Sequence, residues 1–195
     1  MRAEQARPAR KPTGAGLPDD PLLFVTVGTD SHPFPRLLRW VGAWAIEHGQ
    51  WQLEVQHGAT PAPPFGHAFA YLGREETRSL FRSAAVVVCH AGPATITQAR
   101  AFGHLPVVVA RDPRIGEHVD DRQMLLARRL AAAGVVWLAE SEAGLGRAIA
   151  AALAAAAGPA DGDSASVPPP DGRRRRQDRG PRAPGRRIAR SRPRR

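Results

Sequence analysis

The sequence predicts an α/β domain, a single Rossmann-like parallel sheet with helices on both faces. Three observations predict it. The apolar runs LLFVTV (22–27), AVVVCH (85–90) and LPVVVA (105–110) are continuous rather than alternating, as in strands buried on both sides. Stretches with helical spacing of apolar residues lie between such runs. Glycine or a polar cluster follows almost every apolar run, which places turns where strands hand over to helices.

The elements follow in order. LLFVTV is the first strand, with Gly28 at its exit. Residues 33–48 place Leu37, Leu38, Val41, Trp44 and Ala45 on one helical face, and Gly49 stops the helix. WQLEVQ (51–56) alternates as a strand, HGATPAPPFG is a loop, and AFAYL (68–72) is a short strand. EETRSLFRSA (75–84) is a helix with Leu80 and Phe81 inward, followed by the strand AVVVCH. Gly92 to Phe102 is a helix ended by Gly103, and LPVVVA is the fifth strand. Asp120 to Ala133 is a helix, VVWLA (135–139) a last strand, and Ser141 caps an Ala-rich helix running to about Ala157. Right-handed crossovers and a doubly wound strand order follow as defaults.

Charge separates the body from the ends. The chain of 195 residues carries 28 Lys and Arg against 18 Asp and Glu, a formal +10. Twelve arginines against four aspartates put +8 of it in residues 159–195, and residues 1–20 hold +1, so the body at 21–158 is close to neutral. The segments 1–20 and 159–195 are poor in large aliphatics and read as a disordered leader and a disordered Arg-rich tail. One cysteine, Cys89, excludes an internal disulfide framework. No apolar run reaches the roughly 18 residues of a membrane span. The opening MRAEQARPARKPTG has no apolar stretch behind its charges, so no secretory signal is read and cytoplasm is the expected location.

Ligands of such sheets sit beyond the carboxyl ends of the strands. Three exits are polar. VGTDSH (27–32) offers Gly28 for a close backbone approach and Thr29 as a hydroxyl, with Asp30 or Ser31 to cap the next helix. CHAGPATITQA (89–99) places His90 at a strand end, Gly92 in the turn and Thr95 in the first helical turn, whose free N–H groups suit a diphosphate. RDPRIGEHVDDRQ (111–123) is a long polar loop.

Each residue also has a plain reading. His90 can be a histidine hydrogen-bonded at a strand end, but Gly92 and Thr95 beside it favour a ligand contact. Arg111 has a fork that matches phosphate or a carboxylate, whereas a lone loop arginine is usually solvated. Gln123 either reaches a ligand hydroxyl or lies on a helix surface. Glu117, His118, Asp120 and Asp121 resemble a metal cluster in composition only. Their continuous run lacks ligand spacing, so no metal and no cofactor are expected. Asp120 or Asp121 caps the following helix, and Glu117 and Asp121 are also candidates for ligand contacts. Cys89 and His90 are neighbours on a strand, so they point to opposite faces and cannot form a catalytic pair. Trp40, Trp44 and Trp51 read as core. His32, His48, His57, His67 and His104 have no company that suggests chemistry.

HAGPATITQARAFGHLPVVV followed by DDRQ resembles the glycosyltransferase family 28 C-terminal domain, the donor-binding half of GT-B enzymes. The pattern is carried by His90, Gly92, Thr95, position 98, Gly103, Pro106 and Gln123. The opening LLFVTVGTDSHPFPRLLRWV, with Arg111, Pro113, Gly116, Glu117, His118 and Gln123, resembles stand-alone donor subunits of two-component transferases. Two such groups are the bacterial exopolysaccharide glucuronosyltransferase subunit and the dolichol-pyrophosphate N-acetylglucosaminyl transferase subunit. Where many GT-B enzymes carry a glutamate for both ribose hydroxyls, this chain has Gln98, whose amide accepts through one oxygen only.

The resemblance implies an inverting transfer of a hexose, N-acetylhexosamine or uronic acid from a UDP-sugar to a lipid-linked acceptor. It implies donor binding by Gly28, Thr29, His90, Gly92, Thr95, Gln98, Arg111 and Gln123, with Glu117 and Asp121 as candidate sugar contacts. It also implies a membrane-anchored acceptor-binding subunit as partner, since no catalytic base is visible and the body is too short for both halves. The Arg-rich tail then suits the anionic inner membrane surface, and without an aromatic to stack on bases it argues against nucleic acid. The alternative, favoured by Gln98, is a non-catalytic nucleotide-binding or partner-binding module derived from that domain.

Overall fold

A computed structural model describes residues 20–157; the leader up to residue 19 and the Arg-rich tail from 159 lie outside the described residues. Six strands alternate with helices: β1 (Leu22–Thr26), α1 (Pro35–Glu47), β2 (Gln52–Gln56), β3 (His67–Phe69), α2 (Arg74–Ser83), β4 (Val86–His90), α3 (Pro93–Ala101), β5 (Val107–Val109), α4 (Arg122–Ala132), β6 (Trp137–Leu138) and α5 (Glu142–Ala157), with a 3-10 turn at Pro113–Ile115 after β5. All strand pairs are parallel and the order is β3-β2-β1-β4-β5-β6. The chain winds outward from β1 to β3, returns to β4 beside β1, and winds out the other way. The β1–β4 boundary is therefore the switch point where a crevice opens.

The continuous apolar runs serve two cores. Leu23, Val25, Val27, Val86, Val88, Val107 and Val109 face α1 and α5, where Leu37, Val41, Trp44 and Ile149 complete one cluster. Phe24, Val87, Cys89 and Val108 face the other way, against Phe81 of α2, Ile96 and Ala99 of α3, and Ala127 of α4. Period-two exposure to two covered faces explains why the strands show no polar side. Burial pushes the Cys89 thiol up to about 12, which makes it an inert packing residue.

Local departures have local causes. The helix predicted to begin at Pro33 begins at Pro35, its N1 residue, and Phe34 occupies the cap with no side-chain capping bond. Neither Asp30 nor Ser31 caps it. The cap region is held from outside instead, by Phe34 N–H donating to Thr60 Oγ1 at 2.8 Å. The crossover from β2 to β3 is the loop 57–66, as expected. The predicted strand 68–72 covers only His67–Phe69, because β3 is an edge strand and Ala70–Leu72 leave the sheet toward the switch point. Ser141 does cap α5, its Oγ accepting from Gly144 N–H at 3.1 Å. Among the described residues no helix is long and apolar enough to cross a membrane.

Candidate functional site

The exits of β1 and β4 meet around one imidazole. Gly28 turns at φ 78°, which an L side chain rarely adopts. A Cβ on Gly28 or on Gly92 would overlap the ring of His90, so the imidazole occupies a slot between two backbones. Only glycine at both positions leaves that slot open. His90 is 8% exposed and its Nδ1 has no hydrogen-bond partner within the protein. Burial and the charge of Arg111 lower the imidazole to about 4, against the pull of the Thr26 backbone and Asp30. At neutral pH His90 is therefore an uncharged donor and acceptor, not a cation.

This buried neutral histidine has a consequence for stability. The unfolded chain takes up the proton near 6.5 and the folded chain only near 4. Stability is thus complete above pH 6.5 and is lost as pH falls toward 4, by about 3 kcal/mol in all. Urea unfolding at pH 7 and pH 4.5 checks this. The fall between the two should shrink in His90→Gln, which cannot take the proton.

The slot opens into a cavity of about 340 Å³ at the switch point. One wall is the start of α3. Gly92 is its cap and Pro93 its first residue, and the first intrahelical bond runs from Ile96 N–H to Gly92 O at 3.1 Å. The N–H groups of Ala94 and Thr95 thus have no partner inside the helix, and both residues line the cavity with Gln98. Phe24, Leu72 and Phe81 give the lining its apolar part, and the half-exposed ring of Tyr71 also borders the cavity. A helix N-terminus and apolar side chains in one cavity suit a ligand with an anionic middle and a flat, weakly polar end.

The floor is a polar network. Thr26 Oγ1 donates to Gln56 Oε1 at 2.5 Å and accepts from Gly28 N–H at 3.2 Å. Gln56 Nε2 donates to Gly28 O and Ala70 O, both at 2.9 Å. Two side chains thereby tie the exits of β1, β2 and β3 together. The sequence reading missed Thr26, Gln56, Tyr71 and Leu72. Polar residues ending otherwise apolar strands were the available signal for the first two.

Of the predicted residues, Gly28, Thr29, His90, Gly92, Thr95 and Gln98 come together around the cavity. The third exit does not join them. Arg111 is fully buried and cannot clamp a phosphate from outside. Its guanidinium donates to His32 O at 2.7 Å, Val27 O at 3.0 Å and Glu117 O at 3.1 Å, and lies 4.7 Å over the Phe34 ring. Burial lowers Arg111 from its ordinary value, and the charges of Asp30 and Glu117 work the other way. Glu117 is 4% exposed and likewise closed to a sugar. Arg36 holds it in a two-pronged pair, Nη2 to Oε2 at 2.7 Å and Nε to Oε1 at 3.0 Å, and Asp112 N–H donates to it at 2.9 Å. Both residues were predicted as ligand contacts because a long polar loop conceals which side chains fold inward.

Asp121 is the exposed N-cap residue of α4 and makes no side-chain capping bond; Asp120 instead accepts from Arg122 N–H at 3.1 Å. Gln123 lies in the first turn of α4, half-buried, away from the cavity wall, with Oε1 unpartnered. Asp30, 30% exposed, accepts from the backbone and ring of His32. Burial works against its charge, but those bonds and Arg111 hold its carboxyl below the usual range. Among the described residues no group of three or more His, Cys, Asp or Glu is placed to hold a metal ion.

Residues 22–166 match the family model of the glycosyltransferase family 28 C-terminal domain. Comparison with curated proteins gives no match. Among solved structures the chain is similar to the calicheamicin glycosyltransferase, at 18% identity and a TM-score of 0.51 over 71% of this chain and 37% of that one. It is also similar to the glycotransferase of kitacinnamycin, at 18% identity and a TM-score of 0.54 over 80% of this chain and 40% of that one. At such identity the likeness is one of fold, and this chain spans about two fifths of the length of either structure.

Proposed function

Because the chain belongs to the glycosyltransferase family 28 C-terminal domain family, with the fold of the C-terminal half of a GT-B enzyme, we propose that it is the donor-binding part of a glycosyltransferase that uses a UDP-sugar. The observation that carries this reading is the cavity that joins the open N-terminus of α3 and the enclosed His90 to an apolar wall. The uracil lies against Tyr71 and Leu72, and Gln98 takes a ribose hydroxyl. The diphosphate meets the N–H groups of Ala94 and Thr95, the Thr29 hydroxyl and the neutral His90. The sugar extends over the strand ends toward the loop after β5.

The protein's part in the reaction is to hold the donor and stabilise the charge that builds on the departing diphosphate. Fixed N–H groups at a helix terminus do this without reorganising as the bond breaks. An acceptor hydroxyl attacks the anomeric carbon from the far side, and UDP leaves with the bonding pair. In this reading the acceptor is lipid-linked and a membrane-anchored subunit supplies its site, as the TVGT opening and the Arg111–Gln123 stretch support. The arginines beyond residue 159 favour an anionic membrane surface, on the cytoplasmic side. Exopolysaccharide or other glycan assembly is the matching process.

Calorimetric titration of UDP, UDP-glucose and UDP-glucuronate into the full chain tests the reading. UDP is expected to bind saturably and uridine far more weakly, because the diphosphate carries the helix contact. His90→Ala is expected to weaken UDP about tenfold, the value of one lost hydrogen bond. No binding of UDP at millimolar concentration would overturn it. A second reading, a non-catalytic nucleotide-binding or partner-binding module, is favoured by the amide at Gln98. It requires that UDP bind while no donor ever yields free UDP.

A further inference from the structure

Charge on the folded body is small in sum but sorted by layer. Helices α2, α3 and α4 pack on one face of the sheet. They hold seven arginines against two glutamates, a formal +5. Residues 21–158 total +1, so the rest of the body carries −4. The opposite layer, α1 and α5, has three arginines against two glutamates.

Most of the unpaired charge lies on α2 and α3. Arg122 pairs with Asp120 and Arg128 with Glu140. Arg74, Arg78, Arg82 and Arg100 are exposed and, among the described residues, join no ion pair. Arg74, Arg78 and Arg82 recur every fourth residue, so they form one row along α2 with steps of about 6 Å. The guanidinium carbons of Arg78 and Arg82 lie 5.9 Å and 5.8 Å from the Phe102 ring at the end of α3. Arg100 Nη1 donates to His104 O at 3.1 Å just beyond it. Ala155 and Ala156 of the last turn of α5 border a small cavity together with Gly103 and His104. Residues 159–195, which hold +8, are therefore joined to the body beside this end of α3.

A row of unpaired cations on an exposed helix side fits an extended anionic surface better than one compact ligand. The aromatic ring of this face is not open to a nucleobase. Phe102 stacks on Phe81, centroids 5.9 Å apart, and the two guanidinium groups lie near its ring. Anionic lipid headgroups need no stacking partner, only a density of positive charge within a Debye length. We propose that the exposed side of α2 and α3, with Arg74, Arg78, Arg82 and Arg100, is a docking surface for an anionic lipid bilayer. The folded body then contributes to membrane attachment and fixes which layer faces the lipid, whereas the arginines beyond 159 add attraction without an orientation. Thr77 and Phe81 of α2 and Thr95 and Gln98 of α3 line the cavity at the switch point. The helices that dock are thus the helices that wall the cavity.

The test is co-sedimentation of the full chain with vesicles of phosphatidylcholine, with and without phosphatidylglycerol. Vesicle binding involves no nucleotide, so its outcome is separate from that of the donor reading. The wild-type chain is expected to bind only the anionic vesicles. Arg78→Gln with Arg82→Gln is expected to lower the partition coefficient about 20- to 30-fold, each arginine near the surface being worth about fivefold. Arg39→Gln with Arg147→Gln removes equal charge from the α1–α5 layer and should lower it less than about twofold, since those groups sit beyond a Debye length. Arg78→Lys with Arg82→Lys keeps the charge and should stay within about twofold of wild type. Equal losses in the two glutamine pairs, or none in either, would overturn the proposal. So would a lysine pair that binds as poorly as the glutamine pair. A wild-type chain that ignores phosphatidylglycerol, or that instead binds a single-stranded oligonucleotide through Arg78 and Arg82, would also overturn it.

Discussion

Arg111→Met is expected to cost about 3–5 kcal/mol of folding stability, the usual result of breaking a buried charged network from one side. The side chain is fully buried, and three loop carbonyls, those of Val27, His32 and Glu117, receive its N–H groups. Methionine fills most of the volume but donates nothing, so those oxygens lose their partners in a space that water cannot readily enter. Asp30 and Glu117 also lose a neighbouring cation. Arg111→Lys should fall between, since one ammonium cannot reproduce a planar fork that meets carbonyls from two loops. The urea midpoint at pH 7 reads the effect, and a loss under about 1 kcal/mol for the methionine variant would show that the guanidinium is dispensable. The same variant should lose UDP affinity, because the loop bearing Gly28 and Thr29 is released.

Gly92→Ala is expected to destabilise the protein by about 1–3 kcal/mol, the cost of overpacking a filled site, and to weaken UDP about 10- to 100-fold. The added methyl overlaps His90 Nε2, and the ring cannot retreat because Gly28 closes the other side of the slot. It must swing into the cavity, where it blocks the open N–H groups of α3. The backbone of Gly92 is not the obstacle, since its φ of −76° suits any residue. A double-mutant cycle separates these causes. In a His90→Ala background the alanine at 92 has room, so most of its cost in stability should vanish. If the cost persists there, the glycine is required for a reason other than the imidazole.

Both expectations depend on features of very different legibility. The β4–α3 junction was readable because its chemistry is local. A strand end, a glycine cap, a proline at the first helical position and a hydroxyl two residues later lie in one short stretch, and helix geometry alone turns their N–H groups outward. Gly28 was readable for the same reason. The fate of Arg111 and Glu117 was not. A polar loop of mixed charges gives no sign of which side chains turn inward, and Arg36, the partner that buries Glu117, comes from α1, 81 residues earlier.

The α/β class, the order of the elements and the part of the candidate site at β1 and β4 were legible in the residues themselves. Each of these follows from periodicity, glycine placement and helix-end geometry, which act over a few residues. Tertiary structure decided the rest. Parallel pairing brought Thr26 and Gln56, 30 residues apart, into one hydrogen bond. The early end of β3 set Tyr71 at the cavity's rim. Burial changed two predicted ligand contacts into the braces of the loops around them. The physical reason is that a charged side chain's role depends on how much water and how many partners surround it, and both are set by segments distant in the chain.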